Sequence, residues 1–225
     1  MELSRPLILA SSSPRRQYLM KMAGFTFEVR KPDIDEIFPE DLPAHEVAQY
    51  LASLKADYFK DQLQNELVVT ADTVVILDKT ILNKPADRGE AIEMLSSLSG
   101  NTHTVMTGVS ILSKEGREDF AESTKVTFEK LTRAQIEYYI DRSKPFDKAG
   151  SYGAQDCLPH NMNPCSREEV DFMNRIGRGE FSNELIADQS DDRVVIIKTI
   201  AGSYFNVMGL PIHKVYERLR KWQAV

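Results

Sequence analysis

LVVTADTVVIL, residues Leu67–Leu77, decides the fold. It is a long apolar run that reads as a strand, and Thr70, Asp72 and Thr73 interrupt it. An ionised aspartate inside such a strand costs several kcal/mol unless it is paired or bound to a cation. Asp72 therefore either has a structural hydrogen-bonding partner or serves a cleft as a metal ligand or general base. Asp78-Lys79 makes a turn after the run, and Thr80 to Leu82 forms a short returning strand.

On the N-terminal side, Leu7 to Ala10 reads as a short buried strand. Ser13 and Pro14 then open a helix, as N-cap and first helical residue, with Tyr18, Leu19 and Met22 on one face and Gly24 at its end. Phe25 to Val29 alternates as a strand. Pro43 starts a second helix with an apolar stripe of Val47, Tyr50, Leu51, Leu54 and Tyr58. On the C-terminal side, Asp87 and Glu90 form a capping-box pattern for a helix that buries Ala91, Met94, Leu95 and Leu98 and stops at Gly100. Thr102 to Leu112 and Glu122 to Leu131 read as strands joined around Glu115-Gly116. Thr132 and Gln135 cap a helix ending near Ser143. Pro145 to about Asp192 is a polar, glycine-containing stretch, Arg193 to Ile200 a strand, and the last helix runs from Pro211 with Val215, Leu219 and Trp222. The class is α/β with a mixed, largely antiparallel central sheet and flanking helices.

With 225 residues, one large or two-lobed domain has a core that needs no staples. A net charge of −6 disfavours nucleic acid or an anionic membrane as partner, and a polyanionic substrate would need a local basic pocket. The N-terminal apolar stretch is too short for a signal peptide and no run of apolar residues is long enough to span a membrane, so a cytoplasmic location is expected. Cys157 and Cys165 form no CxxC pair and read as free thiols in a reducing compartment.

The chemistry-bearing residues are dispersed. In LILASSSPRR a strand delivers Ser11, Ser12 and Ser13 to a helix N-terminus, where Arg15 and Arg16 follow; this is either an anion site or an N-cap with solvated arginines. Asp33, Asp35 and Glu36 sit in a loop with the oxygen ligands a hard cation needs, or are simply solvated. Lys55, beside Leu51 and Leu54, snorkels or points into a pocket. Lys84 precedes Pro85 in extended chain. His103 reads as structural. Asp147 to Gln155, with Gly150 and Gly153, suits a tight loop approaching a ligand. Phosphate-loop, dinucleotide, nucleophile-elbow and zinc-helix motifs are absent, so an acidic site with scattered basic residues points to metal-assisted phosphoryl or nucleotidyl chemistry.

Taken in order, LASSSPRR (9–16), IDE (34–36, after Asp33), ADTVV (71–75), NKP (83–85), LSGNTHTVMTGV (98–109), DKAGSYGAQ (147–155) and GSYFNVMGLP (202–211) closely resemble the Maf-like nucleotide pyrophosphatases, relatives of the inosine triphosphate pyrophosphatases. The resemblance implies a single two-lobed domain over residues 1–225 with a cleft between lobes, a homodimer, and hydrolysis between the α- and β-phosphates of a nucleoside triphosphate. It implies Asp72 as general base, Glu36 and Asp72 as ligands of Mg²⁺ or Mn²⁺, and Ser11, Arg15, Arg16, Lys55 and Lys84 as triphosphate-binding residues. Arg15, Thr73 and Gln155 match positions associated with substrate choice and resemble the subgroup acting on dTTP and UTP. The alternatives are a pyrophosphatase for purine or other modified nucleotides, and a non-catalytic nucleotide-binding regulator of cell division.

One departure stands out. Where the family has a short glycine-containing link, this chain has residues 156–199, with an insertion at about 156–192. It holds Cys157, His160, Asn161, Asn163, Cys165 and a short helical pattern, SREEVDFMNRIG (166–177). The insertion is a tolerated surface excursion, or it lids the cleft, extends a dimer interface or reshapes specificity.

Overall fold

The computed structural model describes residues 3–160, 162–180 and 194–222; Asn161, the 181–192 part of the insertion and Arg193 lie outside the described residues. The strands are β1 (Leu7–Leu9), β2 (Glu28–Val29), β3 (Leu67–Leu77), β4 (Thr80–Leu82), β5 (Thr102–Leu112), β6 (Arg117–Phe128) and β7 (Ile197–Ala201). The helices are α1 (Pro14–Met22), α2 (Ala44–Asp57), α3 (Arg88–Leu98), α4 (Arg133–Ser143), α5 (Arg167–Arg175), α6 (Tyr204–Val207) and α7 (Ile212–Lys221). One sheet carries the strands in the order β2-β1-β3-β5-β6-β7, with β4 paired to β3. β1 runs parallel to β2 and β3, while β4 is antiparallel to β3 and β7 to β6. β5 and β6 form a hairpin whose turn is closed by the Ser113 N–H on the Gly116 carbonyl. The sheet is mixed and mostly antiparallel, as the sequence predicts.

Several boundaries differ from expectation for identifiable reasons. β2 keeps only Glu28 and Val29, because the Phe25 ring is buried and stacks on Tyr216, with centroids 5.6 Å apart. β6 begins at Arg117 rather than Glu122: its first residues alternate exposed and half-buried, so its charged sequence masks a strand. It ends at Phe128 rather than Leu131, whose N–H is taken by the Ser99 hydroxyl. β7 starts at Ile197, since the N–H groups of both Ile196 and Ile197 go to the Cys157 carbonyl. At α3, Asp87 caps the Glu90 N–H as expected, but the Glu90 carboxylate reaches Ala86 instead of closing the box. Inside the insertion, α5 forms where the helical pattern predicts, closed by a reciprocal Ser166–Glu169 cap. The four-residue α6 was not expected.

The buried faces of α1 and α2 are rotated from the expected stripes. α1 buries Leu19, Met20 and Met22, and Tyr18 is exposed. α2 buries Val47, Ala48, Leu51, Ala52, Lys55 and Ala56, whereas Tyr50 and Tyr58 are exposed. The alanines of this i, i+1, i+4 stripe, Ala48, Ala52 and Ala56, let the helix lie close to the sheet. A β-carbon on Gly108 of β5 would fall 2.4 Å from the backbone of Ala48 and Gln49. The same stripe carries Lys55 inward, so its ammonium cannot snorkel along the surface.

The chain divides into two compact units. The first is Met1–Thr73, Met106–Glu122 and Gly209–Val225; the second is Val74–Val105 and Ser123–Met208. In the first, Ile8, Ala10, Ala56, Phe59, Val68 and Leu112 form a core cluster. In the second, Phe128, Tyr139, Phe172, Tyr204 and Phe205 are fully buried.

Gly108→Ala is expected to destabilise by at least about 3 kcal/mol, a fall of roughly 6–12 °C in Tm. Gly116→Ala, where an added β-carbon meets nothing, should stay within about 0.5 kcal/mol of wild type. Calorimetry on both checks the seat of α2; an unchanged Gly108→Ala would contradict it.

Candidate active site

Asp72 lies in the buried stretch of β3, 9% exposed. Its neighbour Thr70 settles its hydroxyl on the Ala52 carbonyl of α2 at 2.6 Å, pinning helix to strand. Lys55, one turn along α2 and 6% exposed, brings its Nζ to 2.6 Å from Asp72 Oδ1. The same Nζ is 3.1 Å from Glu36 Oε2, which reaches in from the loop before α2 and is half exposed. One ammonium thus joins two carboxylates. Such a pair pays a large desolvation cost, and breaking it by removing one partner costs about 3–5 kcal/mol. Asp33 and Asp35, grouped with Glu36 in sequence, are solvent-exposed.

Among the described residues no group of three or more His, Cys, Asp or Glu side chains converges as a ready-made metal cage. The carboxylates of Glu36 and Asp72 do converge on one cation, the Lys55 ammonium. Two oxygen donors of this kind would suit a hard divalent ion.

Arg16 extends from the first turn of α1. Its Nε donates to the Gly209 carbonyl at 2.8 Å, Nη1 to the Ala71 carbonyl at 2.8 Å and to Ser11 Oγ at 3.3 Å, and Nη2 to Thr73 Oγ1 at 3.0 Å. Most of the guanidinium's N–H groups are therefore spent on the protein. Burial lowers its pKa from the usual value, opposed by the nearby charge of Asp72. Thr73 Oγ1 also shares a hydrogen bond of 2.9 Å with Thr107 Oγ1. Arg16 is a staple that fixes Ser11, Ala71, Thr73 and Gly209 around Asp72. Arg15 is half-buried beside it, and Ser11 Oγ accepts from the Ser13 N–H at 3.3 Å. The sequence flagged Arg16, Ser11 and Thr73 but not Thr107 or Gly209, whose φ of +106° suits only glycine.

Lys84 and Gln155 belong to the second unit. Lys84 is exposed in extended chain after β4. Gln155 lies within the second of two short 3-10 turns, Ala149–Ser151 and Ala154–Asp156. Gly150 has φ +67° and a β-carbon there would press on the Val75 methyls, while its N–H reaches the Asn83 carbonyl at 3.2 Å. Tyr152 OH pairs with His103 Nε2 at 2.8 Å, and Phe128 stacks edge-on against both rings, each 4.8 Å away. The Gly153 N–H donates to Tyr139 OH at 2.9 Å. Fastened at these points, the loop carries Gln155, whose buried Oε1 accepts no hydrogen bond among the described residues. An acceptor left open in this way is available to a ligand. Asp147 and Lys148 pair with each other at 2.8 Å. Cys157 and Cys165 are free thiols, as expected.

Burial keeps the His103 imidazole neutral, its pKa pushed down to about 4. The unfolded chain protonates below about 6.5, so His103 contributes stability above that pH which is lost as pH falls from 6.5 towards 4. His213, also pushed down to about 4, adds to this loss. His103→Gln keeps a hydrogen-bonding group for Tyr152 without the titration. Its Tm should fall less steeply than that of wild type between pH 6.5 and 4; equal slopes would contradict a buried neutral imidazole.

The sequence profile of the Maf-like proteins matches residues 6–163, ending inside the insertion. A dTTP/UTP pyrophosphatase of Bacteroides thetaiotaomicron is 39% identical over 217 residues, 96% of this chain and 95% of that protein. A dTTP/UTP pyrophosphatase of Flavobacterium psychrophilum is 44% identical over 211 residues, 93% of this chain and 91% of that protein. Among solved structures, the Staphylococcus aureus Ham1 protein aligns with a TM-score of 0.40 and 15% identity, over 55% of this chain and 72% of that one.

Proposed function

The chain belongs to the Maf-like protein family, and from that membership we propose that it hydrolyses dTTP and UTP to the monophosphate and pyrophosphate. The observation that carries the reading is the buried Asp72 carboxylate held at 2.6 Å by the Lys55 ammonium, with Glu36 on the same ammonium. A charged carboxylate kept in the interior at such cost, beside a helix-borne lysine and an arginine-braced backbone, suits a general base next to a polyanion.

In this reading Asp72 takes a proton from a water as its oxygen attacks the α-phosphorus. The bond from that phosphorus to the bridging oxygen breaks, and pyrophosphate leaves. Lys55, Lys84 and Arg15 bind the phosphates and offset charge that grows on the leaving group. Ser11 and Arg16 hold the surrounding backbone and extend the phosphate-binding set. Glu36 and Asp72 would hold the divalent cation, Mg²⁺ or Mn²⁺, which supplies Lewis-acid stabilisation of phosphate charge. Thr73 and Gln155 take the base. A pyrimidine carrying an N3–H matches the open Gln155 Oε1, and a site built to hydrogen-bond a substrate group rejects analogues lacking it. Cytosine carries no hydrogen on N3. The proposal extends to a homodimer in the cytoplasm, a setting that the free thiols of Cys157 and Cys165 suit.

The test is pyrophosphate release from a panel of normal and modified nucleoside triphosphates with Mg²⁺ or Mn²⁺. Wild type is expected to favour dTTP and UTP and to lose activity in EDTA, and Asp72→Asn to lose about 10²–10⁴-fold in kcat. Turnover of purine or modified nucleotides instead would keep the chemistry and overturn the substrate. Triphosphate binding without any turnover would sink the enzyme and favour a regulator.

A further inference from the structure

The insertion contributes a carboxylate to the interior. Glu169 on α5 is fully buried, and its partners are neutral N–H and O–H groups. Its Oε1 accepts from Ser203 Oγ at 2.6 Å and from the Phe205 N–H at 2.7 Å. Its Oε2 accepts from the Ser166 N–H at 2.8 Å and from the Tyr204 N–H at 3.0 Å. Phe172 and Met173, both buried, seat α5 from the same helix face. A tolerated surface excursion has no need to bury a carboxylate with four donors around it.

Three of those donors belong to the start of GSYFNVMGLP, and the same segment is tied further. Ser203 caps the Asn206 N–H at 2.9 Å, and Asn206 Nδ2 donates to the Val105 carbonyl at 3.0 Å and to Thr124 Oγ1 at 2.9 Å. A β-carbon on Gly202 would press on Thr124 at 2.9 Å. Two residues after α6 the chain reaches Gly209, whose carbonyl receives Arg16 Nε at 2.8 Å and lies 3.4 Å from Thr73 Oγ1. The backbone leading to that carbonyl is thus anchored from the insertion.

We propose that Glu169 is a positioning residue: through it the insertion fixes the 203–209 segment, and with it the Gly209 carbonyl that orients Arg16, which in turn holds Thr73 for substrate selection. This rests on the pyrophosphatase reading above. Glu169→Gln replaces one acceptor oxygen by a donor that faces N–H groups, and so loosens the segment without emptying the site.

Steady-state kinetics of wild type, Glu169→Gln and Glu168→Gln are measured on dTTP, UTP, dCTP and dGTP, well below each protein's Tm. Glu169→Gln is expected to lose roughly tenfold or more in kcat/KM on dTTP and UTP, with a narrowed preference over dCTP and dGTP. The exposed neighbour Glu168→Gln should match wild type. A Glu169→Gln protein that melts earlier yet keeps kcat, KM and preference would overturn the proposal and leave Glu169 a plain helix cap. If Glu169→Gln does not fold, Ser203→Ala, which removes one of the four bonds together with the cap on Asn206, is judged by the same standard. A wild type inert towards every triphosphate would sink the pyrophosphatase reading alone. The comparison is then made on dTTP affinity, which Glu169→Gln weakens if the proposal holds and leaves unchanged if it does not.

Discussion

The contact between Lys55 and Asp72 is the constraint on which the rest of the first unit depends. A carboxylate in the middle of a buried strand is tolerable only with a cation in reach, and the cation must come from an element packed tightly on the strand. Here α2 provides it. Its buried stripe is small where it meets β5, at Ala48 over Gly108, and Thr70 fastens strand to helix at Ala52. Lys55, a turn further on, is buried and brings its ammonium to Asp72 and Glu36. Arg16 braces the opposite side through the carbonyls of Ala71 and Gly209. The charged centre is held by backbone and short side chains, which suits a site whose substrate is a large polyanion.

Much of this was legible in the sequence. The polar residues inside Leu67–Leu77 announced a buried aspartate with a partner, and the caps at Ser13, Asp87 and Thr132 form where their spacing predicts. What was not legible depended on rotation and on long-range partners. The expected stripe of α2 took Tyr50 and Tyr58 as core because they are large and apolar, but the seat on Gly108 selects small residues and turns both tyrosines outward. Of the two readings open for Lys55, snorkelling or pointing into a pocket, the rotation selects the inward one. β6 hid its first half because an alternating strand with one exposed face can carry charges at every second position.

The same limit applies to the candidate site. Thr107 and Gly209 carry no local signature, and their importance comes only from where Arg16 and Thr73 point. The Tyr152–His103–Phe128 cluster that braces the Gln155 turn joins residues far apart in sequence. Glu169 was visible only as one residue of the short helical pattern 166–177; its cap with Ser166 and its bonds to Ser203, Tyr204 and Phe205 were not. A residue that serves two segments at once shows only its local role in a one-dimensional reading.

The most direct measurement is a stability cycle on Lys55→Met, Asp72→Asn and the double variant by urea unfolding. If the pair organises the site, Lys55→Met strands a buried carboxylate and costs about 3–5 kcal/mol. The double variant, with no charge left to strand, should then be more stable than Lys55→Met alone, a coupling of at least about 2 kcal/mol. Additive losses, with the double variant the least stable of the three, would contradict the account: Lys55 and Asp72 would then be independent residues that happen to meet.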